Sequence, residues 1–162
     1  MIDKESDMGT LDVARPANAS PQGPAAAKPA TPTVLVADDD PDVLALLDFM
    51  LSKNGFQVIL ARDGGEAVDQ FRTHAVDLVV TDLAMPKLNG LQVARIVKRA
   101  KPTLPILMVT AWGLLVSEEE QRESGIDAIL NKPTQIAEIV TALRTLWETG
   151  SGGEAKTGTD LE

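Results

Sequence analysis

Short apolar runs alternate with segments of helical periodicity along the middle of the chain. The runs are rich in valine, isoleucine and leucine, and the segments between them repeat apolar residues every three or four positions. This alternation predicts an α/β protein in which crossover helices connect the strands of a parallel sheet. The predicted strands are Val34–Ala37, Gln57–Leu60, Leu78–Thr81, Ile106–Thr110 and Ala128–Leu130.

Capping signals predict the limits of the first helix. Asp40 suits the N-cap position with Pro41 as the first helical residue, and Asn54-Gly55 marks the end. The helical spacing predicts a buried side formed by Val43, Leu46, Leu47, Met50 and Leu51.

The other helices carry comparable signals. Asp63 and Glu66 form a capping-box pattern that opens the second helix, and the third is predicted over Leu91–Ala100. The fourth follows Ser117 and is so polar that we expect it to be short and mobile. The fifth is predicted to be capped by Thr134. The predicted inward residues are Val68 and Phe71 in the second helix, and Ile136, Ile139, Val140, Leu143 and Leu146 in the fifth.

The two ends differ in composition from the middle. Residues 1–32 are rich in alanine and proline, and the chain from Gly150 onward is rich in glycine, so neither end has enough large apolar groups to offset the entropy of ordering. We therefore predict a disordered tail at 1–32, one domain at 33–148 and a flexible tail at 149–162.

Charge and composition exclude several classes of function. A net charge of −9 without a lysine or arginine cluster argues against direct DNA binding. The absence of cysteine excludes disulfides and thiolate metal sites. No apolar stretch reaches the ~20 residues of a membrane span, and the start does not resemble a signal peptide. These features predict a cytoplasmic protein without a membrane partner.

Polar residues lie at or just beyond the carboxyl ends of four of the predicted strands. Asp38 and Asp39 follow the first strand, Asp82 the third and Lys132 the fifth, while Thr110 ends the fourth. Sites in open parallel sheets form beyond the carboxyl ends of the strands, so we expect these side chains to converge.

The converging residue types indicate phosphoryl chemistry supported by a metal. Neighbouring carboxylates repel one another unless a cation lies between them, and Mg²⁺ prefers oxygen ligands of this kind. The Asp82 carboxylate suits either a metal ligand or a nucleophile toward phosphorus. Lys132 and the Thr110 hydroxyl could stabilise phosphoryl oxygens.

The chain from Thr33 to about Trp147 resembles the receiver domains of two-component response regulators. The resemblance implies a flavodoxin-like, doubly wound five-stranded parallel sheet with helices on both faces and strand order 2-1-3-4-5. It also implies a non-enzymatic phosphorylation switch. The matching motifs are Val34-Leu-Val-Ala-Asp-Asp-Asp-Pro41, Leu78-Val-Val-Thr-Asp-Leu-Ala-Met-Pro86 with Asn89-Gly90, Val109-Thr-Ala111 and Lys132-Pro133.

The same resemblance implies a role for each site residue and a set of partners. Asp82 would accept a phosphoryl group from a sensor histidine kinase or phosphotransfer protein, and a downstream protein target would then respond. The other implied roles are Asp39 as a direct Mg²⁺ ligand, Asp38 as an acidic partner acting through water, the Ala84 backbone carbonyl as a further ligand, Thr110 as the switch hydroxyl, Ala111 as the small neighbour that leaves room for the phosphoryl group, and Lys132, before a cis bond to Pro133, as the phosphate counter-ion.

The sequence departs from the family pattern at one functional position. Ile129 stands where receivers usually carry an aromatic residue that moves on activation. Coupling from the site to the surface is therefore expected to run differently. Trp112 and Ala84 occupy positions that influence phosphoryl lifetime in the family.

Simpler or different interpretations remain for several residues. Asp40 suits helix capping alone, and His74 a solvated helix end. Trp112, Leu114 and Leu115 form an apolar patch that suits loop packing and partner contact equally.

Two alternative functions also remain. One is a receiver-like scaffold that is not phosphorylated. The other is an aspartate-nucleophile phosphatase of the haloacid dehalogenase type, since Asp38 and Asp40 have its Asp-x-Asp spacing. That family has a further acidic pair after the lysine, whereas here only Glu138 and Glu148, both in the last helix, follow Lys132 within the predicted domain.

Overall fold

A computed structural model of the protein describes residues 29–150. Within this range five strands form one parallel sheet in the order β2-β1-β3-β4-β5, which confirms the predicted fold class and topology. The predicted tails lie mostly outside the described residues and stay predictions. The strands are β1 (Thr33–Ala37), β2 (Gln57–Ala61), β3 (Leu78–Thr81), β4 (Ile106–Thr110) and β5 (Ala128–Asn131).

Each pair of consecutive strands is joined by a helix, and a short 3-10 turn at Gly113–Leu115 precedes the fourth. The last helix runs past the domain boundary predicted at residue 148. Within residues 29–150, no helix combines the length and apolar character needed to cross a membrane. The helices are α1 (Pro41–Lys53), α2 (Gly64–Thr73), α3 (Gly90–Ala100), α4 (Glu118–Ser124) and α5 (Ile136–Gly150).

The core forms two layers because successive strand residues point to opposite faces of the sheet. On one face, Leu35, Val79 and Ile106 pack with residues of α2 and α3. On the other face, Val36, Val80 and Leu107 pack with residues of α1 and α5. Four helices therefore hold the sheet from both sides and leave its carboxyl edge open for the site.

The buried side of α1 differs from the prediction. Leu44, Leu47 and Leu51 are its buried residues, at spacings of three and four, whereas Leu46 is 51% exposed. Leu46 lies one position off that stripe, so helical geometry turns its side chain away from the sheet. Val43 and Met50, also predicted to be inward, are half-buried.

Most of the predicted caps are present. The Asp40 side chain accepts the Asp42 N–H at 2.9 Å, as expected for an N-cap. Ser117 and Glu120 form a reciprocal capping box at α4, a helix whose only buried residue is Ser124. The short, weakly anchored fourth helix is thus confirmed, although its mobility stays a prediction.

Two predicted caps differ in detail. Asp63 accepts the Glu66 N–H at 2.7 Å, but the Glu66 carboxylate accepts from the Arg62 N–H, so the capping box is incomplete. Thr134 lies two residues before α5 begins, and its hydroxyl donates to the Glu138 carboxylate. Because the helix begins at Ile136, its N-cap position falls on Gln135, and the N-cap predicted at Thr134 was wrong by one residue.

Candidate functional site

Strand register places three carboxylates at one edge of the sheet. Ala37 pairs with Thr81 across β1 and β3, so the following residues, Asp38 and Asp82, lie side by side. Carboxylate oxygens of Asp38, Asp39 and Asp82 all lie within 4.8 Å of one another. The structure therefore brings together the acidic residues that the sequence placed after separate strands.

Lys132 reaches into this cluster from the end of β5. Its Nζ lies 2.9 Å from Asp38 Oδ2 and 3.3 Å from Asp82 Oδ2. Its backbone N–H donates to the Thr110 carbonyl oxygen at 2.9 Å, which ties the ends of β4 and β5 together. The expected cis bond between Lys132 and Pro133 is present. One ammonium group thus bridges two of the three carboxylates.

Burial and hydrogen bonding shift the pKa values of Asp38 and Lys132. Asp38 is only 3% exposed, and the loss of solvent raises the pKa of its carboxyl above the ordinary 3.8, despite hydrogen bonds from the Asp40 N–H and Lys132. Burial also opposes the charged form of Lys132. The hydrogen bond to Asp38 and the negative charge of Asp82 outweigh that penalty and raise the pKa of Lys132 above 10.5. Lys132 therefore stays charged at neutral pH.

Thr110 and Asp82 each make one defined local contact. Thr110 is fully buried at the end of β4, and its Oγ1 accepts the Trp112 N–H at 3.2 Å. Asp82 Oδ1 accepts the Leu83 N–H at 2.6 Å, while its Oδ2 faces Lys132. The hydroxyl of Thr110 is thereby linked directly to the backbone of the following loop.

Sequence reasoning missed one role of Asp38. The Asp40 N–H donates to Asp38 Oδ1 at 2.9 Å, so this side chain shapes the turn between β1 and α1 as well as contacting Lys132. Side chains that bind a backbone N–H two residues on are typical of aspartate in turns, which is the signal that could have found it. Asp40 itself caps α1 and lies outside the carboxylate cluster.

The loop after β3, which contains Ala84, is clasped by the loop after β2. The Gly64 N–H donates to the Pro86 carbonyl oxygen at 3.2 Å, and Lys87 Nζ lies 3.5 Å from Asp63 Oδ2. Lys87 itself adopts a left-handed φ of 72°. Ala84 is exposed within this loop, and its role as a carbonyl ligand stays a prediction. The sequence shows two adjacent glycines here but not which one is packed.

We expect Gly64→Ala to destabilise the protein and Gly65→Ala to leave it nearly unchanged. A Cβ at Gly64 would overlap the Leu88 backbone carbonyl, whereas one at Gly65 would meet side-chain atoms alone, 3.0 Å from the flexible Lys87 side chain and 3.3 Å from Asp63 Oδ1. Overpacking against backbone costs about 1–3 kcal/mol. Urea denaturation of the two variants measures the difference, and equal stabilities would contradict the clasp.

A cavity of about 460 Å³ opens beside the carboxylate cluster, between α1 and the start of α5. Asp38, Asp82 and Lys132 form its polar end, and Leu46 and Ile136 lie among its apolar residues. The site therefore adjoins a largely apolar cavity, and Leu46 is partly exposed because it lines this cavity.

The strand order and the helices on both faces define a flavodoxin-like, doubly wound α/β protein. Its acidic cluster and paired lysine lie beyond the strand ends, at the carboxyl edge of the sheet. Residues 34–144 match the response regulator receiver domain. The chain belongs to this family, whose members act in two-component signalling.

Individual relatives agree with this assignment. The chain is 39% identical over 113 residues to the response regulator MprA of Mycobacterium sp. (strain KMS), covering 70% of this chain and 49% of that protein. It is 34% identical to the alkaline phosphatase synthesis transcriptional regulatory protein PhoP of Bacillus subtilis, covering 70% and 47%. The chain thus spans about half the length of the curated relatives it matches.

Solved structures show the same fold. The receiver domain of the Francisella response regulator 1452 matches with a TM-score of 0.65 and 32% identity, covering 73% of this chain and 98% of that one. TrrA of Thermotoga maritima, solved in complex with Mg²⁺-BeF, matches with a TM-score of 0.67 and 28% identity, covering 72% and 99%.

Proposed function

We propose that this protein is a cytoplasmic phosphorylation switch, not an enzyme acting on an external substrate. Asp82 accepts a phosphoryl group from a sensor histidine kinase or phosphotransfer protein in a Mg²⁺-dependent reaction, and the change alters contacts with a downstream protein. The observation that carries the proposal is the position of Asp82, whose carboxylate lies beside Asp38 and Asp39 and 3.3 Å from the Lys132 ammonium.

The acidic residues fit a Mg²⁺ ion. Three carboxylates whose oxygens lie within 4.8 Å of one another supply hard ligands of the kind Mg²⁺ prefers, and one cation from Lys132 leaves the cluster with excess negative charge. Asp38, Asp39, Asp82 and the Ala84 backbone carbonyl would hold the ion. When bound, Mg²⁺ would neutralise negative charge on the phosphoryl oxygens.

Phosphoryl transfer forms one bond and breaks another at this site. A carboxylate oxygen of Asp82 attacks the phosphorus of a phosphohistidine, and the phosphorus–nitrogen bond breaks as the aspartyl phosphate forms. The departing imidazole nitrogen keeps the electron pair and takes a proton from solvent. Lys132 stabilises the oxygens of the transferred group, and the Thr110 hydroxyl donates a hydrogen bond to one of them.

The deciding experiment is a titration of the ¹⁵N-labelled protein with beryllofluoride and Mg²⁺, followed by NMR. We expect a new set of amide resonances for residues around Asp82, Thr110 and Lys132, with one equivalent bound. The known Mg²⁺-BeF complex of TrrA supports the choice of this phosphoryl mimic. A spectrum unchanged by both reagents would favour the unphosphorylated scaffold, and turnover of a phosphate ester would favour the phosphatase.

Asp39→Ala is expected to weaken Mg²⁺ binding without unfolding the protein. The Asp39 side chain is exposed, and its removal relieves repulsion within the carboxylate cluster, so the metal-free protein should be equally or more stable. Calorimetric Mg²⁺ titration and thermal melting in EDTA measure the two effects. A loss of metal-free stability as large as that of a core truncation would contradict the acidic-cluster interpretation.

A further inference from the structure

Three large apolar side chains are exposed together just after β4. Trp112 is 53% exposed, and Leu114 and Leu115, in the 3-10 turn, are 90% and 72% exposed. Consecutive exposed leucines next to a tryptophan form a local apolar patch, which is a feature of interaction sites. We call these three residues the Trp112 patch.

The backbone beneath the Trp112 patch is fixed. Gly113 is buried, and a Cβ there would overlap the Asn131 side chain and lie 2.9 Å from Ile129 Cγ2. The Trp112 N–H donates to Thr110 Oγ1. Gly113 therefore packs directly on β5, and the turn presents its two leucines to solvent.

The helix that follows the patch is acidic. Helix α4 contains four glutamates against the single cation Arg122. Glu120 is used in the capping box with Ser117, but Glu118, Glu119 and Glu123 are exposed and form no ion pair within residues 29–150. Unpaired carboxylates therefore lie immediately next to an exposed apolar surface.

We propose that the Trp112 patch and the first turn of α4 together form a docking surface for a cationic amphipathic segment of a partner protein. Leucine or phenylalanine side chains of that segment would cover Leu114 and Leu115, and its lysines or arginines would pair with Glu118 and Glu119. Docking of this kind is independent of the acceptor role of Asp82, which lies in the site beyond β3.

Charge argues against a second copy of this chain as the occupant. A two-fold contact would set the same surface on both subunits face to face, and the glutamates of each α4 would then oppose one another. The chain as a whole carries a net charge of −9. Three side chains also expose far less than the roughly 800 Å² that each partner buries in a stable interface. An oppositely charged partner removes the repulsion, and the docking of one short segment requires less buried area than a stable dimer.

The test uses two synthetic helical peptides of about 18 residues, a length at which isolated helices begin to form. Both carry leucines on one face, and the other face carries lysines in one peptide and glutamates in its matched partner. Titration into the ¹⁵N-labelled full chain is followed by NMR, with affinity from the shifts. We expect the lysine peptide to shift residues 112–123, and its affinity to fall as salt is raised.

Three variants locate the surface. Leu114→Ser/Leu115→Ser and Glu118→Gln/Glu119→Gln should each weaken the lysine peptide about tenfold, while Phe49→Ser, which removes an exposed aromatic side chain on α1, should not. Acetyl phosphate labelling of Asp82 should persist in all three, which separates this surface from the phosphoryl site. Equal binding of the glutamate peptide, shifts centred on α1, or concentration-dependent dimerisation abolished by Leu114→Ser/Leu115→Ser would each overturn the proposal.

Discussion

Asp82→Asn is expected to abolish labelling of the protein by acetyl phosphate or by a phosphohistidine donor while the fold stays intact. The amide keeps an oxygen for the Leu83 N–H, which Asp82 Oδ1 now accepts at 2.6 Å, so the loop geometry persists. It removes the anionic nucleophile, and an amide cannot form the acyl phosphate. Phosphate-affinity electrophoresis measures the label, and circular dichroism checks the fold.

Asp69→Asn is the matched control for this loss. Asp69 is exposed on α2 and lies outside the carboxylate cluster, and its amide variant makes the same change in charge. We expect full labelling of this variant. Labelling of a folded Asp82→Asn protein at the normal rate would show that another residue is the acceptor.

Lys132→Met should destabilise the metal-free protein at neutral pH by about 1–3 kcal/mol, the cost of leaving a buried polar group without its partner. Asp38, which is 3% exposed in the native protein, loses in this variant the ammonium now 2.9 Å away. The upper figure is modest because Lys132 is partly exposed, and fully buried ion pairs cost more to break. Urea denaturation in EDTA measures the loss.

The pH dependence of this loss has a definite sign. Burial raises the pKa of Asp38 above 3.8, so the folded state binds its proton more tightly than the unfolded chain does. Stability therefore falls as the pH rises from 3.8 through the raised value. Removing Lys132 raises the pKa of Asp38 further, so the pH range over which stability falls extends upward. Acidification should therefore restore much of the stability lost in Lys132→Met.

Two further variants isolate the Asp38–Lys132 interaction. Asp38→Asn combined with Lys132→Met should recover most of the lost stability, because asparagine is neutral and still accepts the Asp40 N–H. Lys87→Met removes an exposed lysine that lies 3.5 Å from Asp63, and such surface pairs contribute less than about 1 kcal/mol. Equal losses of stability in Lys87→Met and Lys132→Met would show that the Asp38–Lys132 pair stabilises the protein no more than a surface pair does.

The sheet and the convergence of the candidate site residues were predictable from sequence because each depends on a local pattern. The continuous apolar runs of the strands are distinct from the spacing of three and four that marks the helices. Polar residues at the carboxyl ends of parallel strands must share one edge of the sheet. Asp38, Asp82 and Lys132 can therefore be grouped from their positions in the sequence. Their bridging contact cannot, since it depends on strand register and side-chain rotamers.

Features that depend on packing between distant segments were harder to predict. The rotation of α1 that exposes Leu46 is set by how the helix packs on the sheet, and the adjacent apolar residues Leu46 and Leu47 both fitted the helical spacing of the predicted buried side. The clasp of Gly64 on Leu88 joins two loops from different crossovers. Asp38 fills two roles with its two carboxylate oxygens, because Oδ1 accepts the Asp40 N–H while Oδ2 contacts Lys132, and its position after a strand indicated only the second.

The contact between Lys132 and Asp38 joins residues separated by 94 positions along the chain. Chains are synthesised from the amino terminus, so the acidic residues leave the ribosome well before the strand that supplies their counter-ion. A nascent chain that lacks β5 carries Asp82 without Lys132. Under the proposed function, the full set of residues that would receive a phosphoryl group is therefore assembled only when the last strand has joined the sheet.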